Sequence, residues 1–147
     1  MEKVFEIYIR TTPRRLWAAI TAPDTGVTRD LGTRVTSDWT PGSHFELSDP
    51  GTGTRLGIGV NLEVSPPRRL VQRTVALWSA DVRDAGVTRV TWDIETVGGS
   101  CRLTVVHDQI RDSADCDLYS GWPATLSSLK SHLETYRSWA VLPASGR

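Results

Sequence analysis

The sequence predicts an α+β fold in which a strongly curved antiparallel sheet of about seven strands wraps around a long C-terminal helix. Most of the chain alternates apolar and polar residues in runs separated by short Gly and Pro turns, which is typical of antiparallel strands. The last segment changes to helical spacing, and no other element is long enough to cover one face of the sheet. Because a bent sheet cannot contact a helix everywhere, we expect a pocket on its concave face.

The N-terminal part predicts one strand followed by two short helices. Apolar and polar residues alternate from Val4 to Arg10, which indicates a half-buried strand. Pro13 stands at a favoured first helical position, and Arg14–Ile20 has helical spacing. A second short helix is predicted up to Leu31.

Six further strands are predicted between Gly- and Pro-rich turns. They span Thr33–Trp39, His44–Asp49, Arg55–Ser65, Arg68–Trp78, Val87–Val97 and Ser100–Ile110. In the third of these strands the apolar residues share one face, and Gly57 and Gly59 lie opposite, where we expect the sheet to bend.

The last element is predicted as an amphipathic helix from Tyr119 to about Trp139. Its apolar stripe includes Trp122, Leu126 and Leu129. Since no linker or repeat interrupts the chain, we expect one domain over residues 1–140 and a flexible tail over residues 141–147.

Composition excludes several classes of function. Seventeen Lys and Arg balance seventeen Asp and Glu, which argues against a nucleic-acid-binding protein. No segment has the ~20 consecutive apolar residues of a membrane span, and the N-terminus lacks the apolar run of a secretory signal. Two cysteines without CxxC spacing favour a reducing compartment, so we expect a cytoplasmic protein.

Aromatic usage points to a candidate binding site. The chain has six Trp but only two Phe and three Tyr. A Trp side chain is large and apolar with one N–H donor, so it suits a cavity wall as well as a core, and both placements stay open. The predicted ligand-binding residues are Trp39, Phe45, Trp78, Trp92, His107, Trp122, Leu126 and Leu129.

His107 is the polar member of this set. It shares the inward face of its strand with Leu103 and Val105, so it is either a satisfied buried histidine or a group that orients a ligand. As a general base it would need a partner, and Asp108 points to the opposite face. The sequence contains no typical metal-ligand spacing, nucleophile elbow or dinucleotide fingerprint, so we predict no catalytic residue, metal or cofactor.

Several short sequence segments, taken in their order along the chain, resemble those of a known family. They are Tyr8–Pro13, Ser37–Ser43, Glu63–Leu70, Leu103–Asp108 and Gly121–Pro123. In these segments the chain resembles the helix-grip superfamily of START-like (SRPBCC) proteins, and within it homologues of the activator of heat-shock-protein-90 ATPase, in their C-terminal-type domain. The resemblance implies a helix-grip fold whose pocket holds lipids, sterols, polyketides or other apolar molecules, with cyclases and hydrolases as a minority.

The resemblance leaves three functions to compare. The first is binding of a small apolar or amphipathic ligand in the cavity between sheet and helix, without enzymatic activity. The second is a polyketide cyclase or aromatase in the same cavity. The third is a protein-interaction module with a chaperone partner. The family name comes from a co-chaperone that has an additional domain and an Asn-rich motif. We expect no room for that domain in this chain, and an Asn-rich stretch is missing because Asn61 is its one Asn. The stretch Thr25–Leu31 also lacks an aromatic residue that many relatives have near the cavity mouth.

Overall fold

The computed structural model describes residues 1–21 and 33–146, and the side chains of the last helix up to residue 135. The strands are β1 (Lys3–Ile9), β2 (Arg34–Ser37), β3 (His44–Ser48), β4 (Arg55–Ser65), β5 (Arg69–Ala76), β6 (Val87–Val97) and β7 (Ser100–Asp108). The helices are α1 (Pro13–Thr21), α2 (Ala80–Arg83) and α3 (Trp122–Gly146), with a 3₁₀ turn at Cys116–Leu118. Within the described residues, no helix combines the length and apolar character needed to cross a membrane.

The seven strands form one open antiparallel sheet in the order β1-β7-β6-β5-β4-β3-β2. Strands that follow each other along the chain pair from β2 to β7, and β1 pairs with β7, so the first and the last strand of the chain are neighbours in the sheet. Register shifts between Leu47 and Ser48 and between Asn61 and Glu63 mark irregularities that bend a strand. The predicted seven-stranded sheet with a long C-terminal helix is confirmed.

The helix α3 covers only part of the concave face. Its buried residues Leu126, Leu129 and Leu133 belong to one core cluster with residues of α1, β1, β6 and β7. Residues of β2, β3 and β4 are not among that cluster. A gap therefore opens between α3 and the β2–β5 half of the sheet.

Strand β4 presents Gly57 to this gap. Gly57 and Asn61 are buried, whereas Ile58 and Val60 are only half-buried. The pairing of Gly57 with Ala76 and of Asn61 with Gln72 puts these residues on one face. The apolar stripe of β4 therefore faces away from α3, and Gly57 leaves space on the concave side.

Some element bounds differ from the sequence predictions. The strand predicted as Arg68–Trp78 ends at Ala76, because Ser79 begins the short helix α2 by accepting a hydrogen bond from the N–H of Val82. The final helix continues to Gly146, beyond the end predicted near Trp139. The second short helix predicted up to Leu31 lies outside the described residues. The division between a domain of residues 1–140 and a tail stays a prediction.

Candidate ligand-binding site

A cavity of about 260 Å³ lies between α3 and the concave face of the sheet. Its wall is built largely from apolar and aromatic side chains. Those from the sheet and α3 include Val35, Phe45, Leu47, Leu70, Val90 and Leu129. Gly57 contributes only backbone to this wall, so the space that a side chain would fill stays part of the cavity.

Six of the eight predicted binding residues lie on the cavity wall. They are Phe45, Trp78, Trp92, His107, Trp122 and Leu129. Leu126 is absent from the wall and lies in the core cluster with 3% of its surface exposed. Helical spacing groups Leu126 with Trp122 correctly, but it does not reveal which part of the stripe already contacts the sheet.

Trp39 also lies off the described cavity wall. The strand predicted to reach Trp39 ends at Ser37, so strand alternation no longer determines the direction of this side chain. Trp39 has a φ of 56° and belongs to the turn before β3. Its backbone N–H donates to Oγ of Ser37 at 3.1 Å.

Two tryptophans form a rigid corner of the cavity. The rings of Trp92 on β6 and Trp122 on α3 meet edge to face, with centroids 5.2 Å apart and an interplanar angle of 75°. The ring of Phe5 on β1 also lies close to Trp122, with the two ring centroids 6.4 Å apart. Such edge-to-face contacts add to the stabilisation from burial, so this corner holds its shape without a ligand.

His107 is held in a neutral tautomer by its neighbours. Its Nδ1 lies 3.2 Å from the indole Nε1 of Trp122, and its Nε2 lies 2.8 Å from Oγ1 of Thr88. An indole N–H can only donate, so Nδ1 accepts and the ring proton sits on Nε2. Burial lowers the pKa of His107 to about 4, although the nearby Asp108 carboxylate acts in the opposite direction.

The charged neighbour of His107 belongs to the other face of the sheet. Asp108 pairs with Arg89 across β6 and β7, with Nη2 and Oδ2 at 2.6 Å, and this hydrogen bond lowers the pKa of Asp108. The carboxylate therefore forms no hydrogen bond with the imidazole in the described structure. Without such a partner, the geometry suits His107 to hydrogen bonding rather than to proton transfer.

A chain of buried amides runs from the cavity into the sheet. Nε1 of Trp92 donates to Oε1 of Gln72 at 3.0 Å, and Nε2 of Gln72 donates to Oδ1 of Asn61 at 3.1 Å. Nδ2 of Asn61 then donates to Oγ of Ser37 and Ser43 at 2.9 and 3.0 Å. This chain fixes the polar groups at the cavity and connects them to the turn before β3.

Sequence reasoning overlooked three residues of these polar networks. Gln72 lies on the cavity wall, and Asn61 and Thr88 are buried behind it. Alternation offered a signal for two of them, because Gln72 follows the inward Leu70 by two positions and Thr88 precedes Val90 by two. A polar residue at an inward position of a strand is therefore a signal for a buried polar network.

Among the described residues, one group of acidic and thiol side chains lies beside the cavity. Ligand atoms of Asp115, Cys116 and Asp117 lie within 4.8 Å of one another. Oδ1 of Asp115 accepts the backbone N–H of Asp117 at 2.8 Å, which caps the 3₁₀ turn. The cluster has this structural role, and Asp117 also contributes to the cavity wall.

Comparison with protein families gives one match over most of the chain. A model of the family described as Activator of Hsp90 ATPase homolog 1-like protein matches residues 10–134. No curated protein matches the sequence significantly.

Solved structures share the fold at low sequence identity. A protein of Mesorhizobium loti has a TM-score of 0.76 and 20% identity, and the alignment covers 92% of this chain and 98% of that one. The Aha1 dimer from Colwellia psychrerythraea has a TM-score of 0.72 and 18% identity, with 91% and 96% covered. An HSP90 activator from Plasmodium falciparum has a TM-score of 0.72 and 21% identity, also with 91% and 96% covered.

Proposed function

Because the chain belongs to the family of Activator of Hsp90 ATPase homolog 1-like proteins, we propose that it binds a small apolar or amphipathic molecule between the sheet and α3. The observation that supports this proposal is the cavity itself, with aromatic walls and few polar groups. Ligand sites in proteins share this composition. We place this binding function in the cytoplasm, in keeping with two free cysteines.

The cavity volume narrows the ligand class. An engineered apolar cavity of roughly 150 Å³ holds benzene, and ligand pockets commonly begin near about 300 Å³. A cavity of about 260 Å³ therefore suits an aromatic compound or short polyketide better than a sterol or long-chain lipid. Burial of the ligand's apolar surface would favour binding by about 25 cal/mol per Å², before subtraction of the entropy that ligand and protein lose on binding.

The proposal is tested by titrating the protein with one-, two- and three-ring aromatic compounds and measuring binding by calorimetry and Trp fluorescence. A matched pair of variants locates the site. Thr125→Phe places a ring on the cavity wall, whereas Ser131→Phe places one on an exposed position of the same helix. We expect the first variant to lose binding and the second to keep it. Failure of every compound to bind the unmodified protein would contradict the proposal.

Binding is proposed ahead of cyclase chemistry because both ring nitrogens of His107 are engaged in neutral hydrogen bonds. A cyclase would need an acid/base pair that converges on the substrate. The His107→Gln variant tests whether binding or cyclase activity is the function, since an enzyme dependent on that imidazole would lose turnover of a polyketide substrate.

Interaction with a chaperone is the second candidate function. It is favoured by the structural likeness to an HSP90 activator and to the Aha1 dimer. Measuring the ATPase rate of Hsp90 with and without this chain tests it directly. An unchanged ATPase rate and no co-purification of the two proteins would exclude this function.

A further inference from the structure

We propose that the cavity selects uncharged ligands bearing a carbonyl or hydroxyl group and rejects the corresponding carboxylates. This inference rests on the proposed binding function and specifies its ligand class. It follows from the charges and hydrogen-bonding groups on the described part of the cavity wall.

The described wall offers no cation to a carboxylate. It contains neither Lys nor Arg, and its ionisable side chains are His107 and Asp117. An ionised group that leaves water without a partner loses several kcal/mol of solvation free energy. The carboxylate of Asp117 adds like-charge repulsion to that loss.

His107 does not supply the missing positive charge. The N–H of Trp122 points at Nδ1, so a protonated ring would place two N–H donors against each other. Two charged groups of the described residues near His107 have other partners. Lys3 pairs with His107 in the register of β1 and β7, but its ammonium lies 4.8 Å from the centroid of the Tyr119 ring. Asp108 pairs with Arg89.

Neutral polar groups on the wall suit an uncharged oxygen. After its bonds to Trp92 and Asn61, the Gln72 amide retains one N–H and one oxygen lone pair. Thr74 and Thr125 also contribute to the wall. A carbonyl or hydroxyl can bond to such groups without the desolvation cost of a charge.

The amide and the carboxylate of one aromatic ring system provide the test, because they differ in charge but hardly in shape. Naphthalene-2-carboxamide and 2-naphthoate, with benzamide and benzoate as a smaller pair, are titrated near neutral pH by calorimetry. We expect at least about tenfold weaker binding of the carboxylate in a pair whose amide binds. Equal or tighter binding of the carboxylate would overturn the inference while leaving the binding function intact. If all four compounds and the parent hydrocarbons fail to bind, the proposed function fails as well.

A charge variant tests the part assigned to Asp117. Asp117→Asn removes the carboxylate from the cavity wall, and Asp112→Asn removes one from an exposed position nearby. We expect the first change to strengthen 2-naphthoate binding severalfold relative to binding of the amide, and the second to leave the ratio of the two affinities unchanged. An equal effect of both substitutions would show only a general surface-charge effect and would overturn the role of Asp117.

Discussion

Trp122 on α3 donates its indole N–H to Nδ1 of His107 on β7, with 3.2 Å between the two nitrogens. This bond joins the helix to the sheet at the cavity. It also determines the protonation state of the histidine, because a donor at Nδ1 leaves the proton on Nε2, which bonds to Thr88. One contact between two elements therefore contributes to both the architecture and the chemical character of the cavity.

The buried His107 should make folding stability depend on pH. Its folded pKa of about 4 lies below the ordinary value of 6.5, so the unfolded chain binds the proton first as pH falls. The stabilisation is complete above pH 6.5 and is lost as pH falls toward 4, by up to about 3 kcal/mol. Urea unfolding across this range measures it. His107→Gln should have a flatter profile, and equal profiles would contradict the prediction.

Replacing Trp122 by Phe should raise the pKa of His107 toward its ordinary value. The substitution removes the N–H that stabilises the unprotonated Nδ1 and loosens the packing around the ring. NMR titration of the imidazole measures the change. Trp78→Phe is the control, because Trp78 lies on the same cavity wall with 48% of its surface exposed and should leave that pKa unchanged. Similar values in both variants would contradict the role given to the indole bond.

Asn61→Leu should destabilise the fold by about 2–4 kcal/mol. Asn61 is fully buried, and its loss leaves Nε2 of Gln72 without its acceptor and Oγ of Ser37 and Ser43 each without one of their donors. Chemical denaturation measures the effect. The control Ser65→Ala removes an exposed hydrogen bond at the end of the same strand and should cost less than about 0.5 kcal/mol. A comparable loss in both variants would argue against the buried amide chain.

Alanine at two nearby glycines of β4 should have different consequences for the stability of the fold. A Cβ at Gly59 would overlap the carbonyl oxygen of Arg73 and lie 2.6 and 2.8 Å from the Phe45 ring, so Gly59→Ala should cost about 1–3 kcal/mol. A Cβ at Gly57 would come no closer than 3.4 Å to Leu47 and Val75. Gly57→Ala should therefore keep the stability of the fold while narrowing the cavity. Melting temperatures and ligand titration distinguish the two effects, and equal melting temperatures would refute the prediction.

Alternation and turn residues predicted the strands well because both signals are local. The predicted bounds Arg55–Ser65 and Val87–Val97 agree with β4 and β6. The same rule failed at Trp39, since the strand ends at Ser37. Strand β4 shows a second limit. Alternation indicates which residues share a face, but only pairing with the neighbouring strands and contact with α3 determine which face becomes the interior.

The sequence by itself determined the α+β class, the order of the strands along the chain and the long C-terminal helix, because each follows from short-range periodicity. Only the tertiary structure decided that Leu126 fills the core while Leu129 lines the cavity. It also decided that Gln72 meets Asn61 and that His107 meets Trp122. These contacts depend on strand register and on where α3 lies over the sheet. Both are set by packing between segments distant in sequence, which periodicity within one segment does not specify.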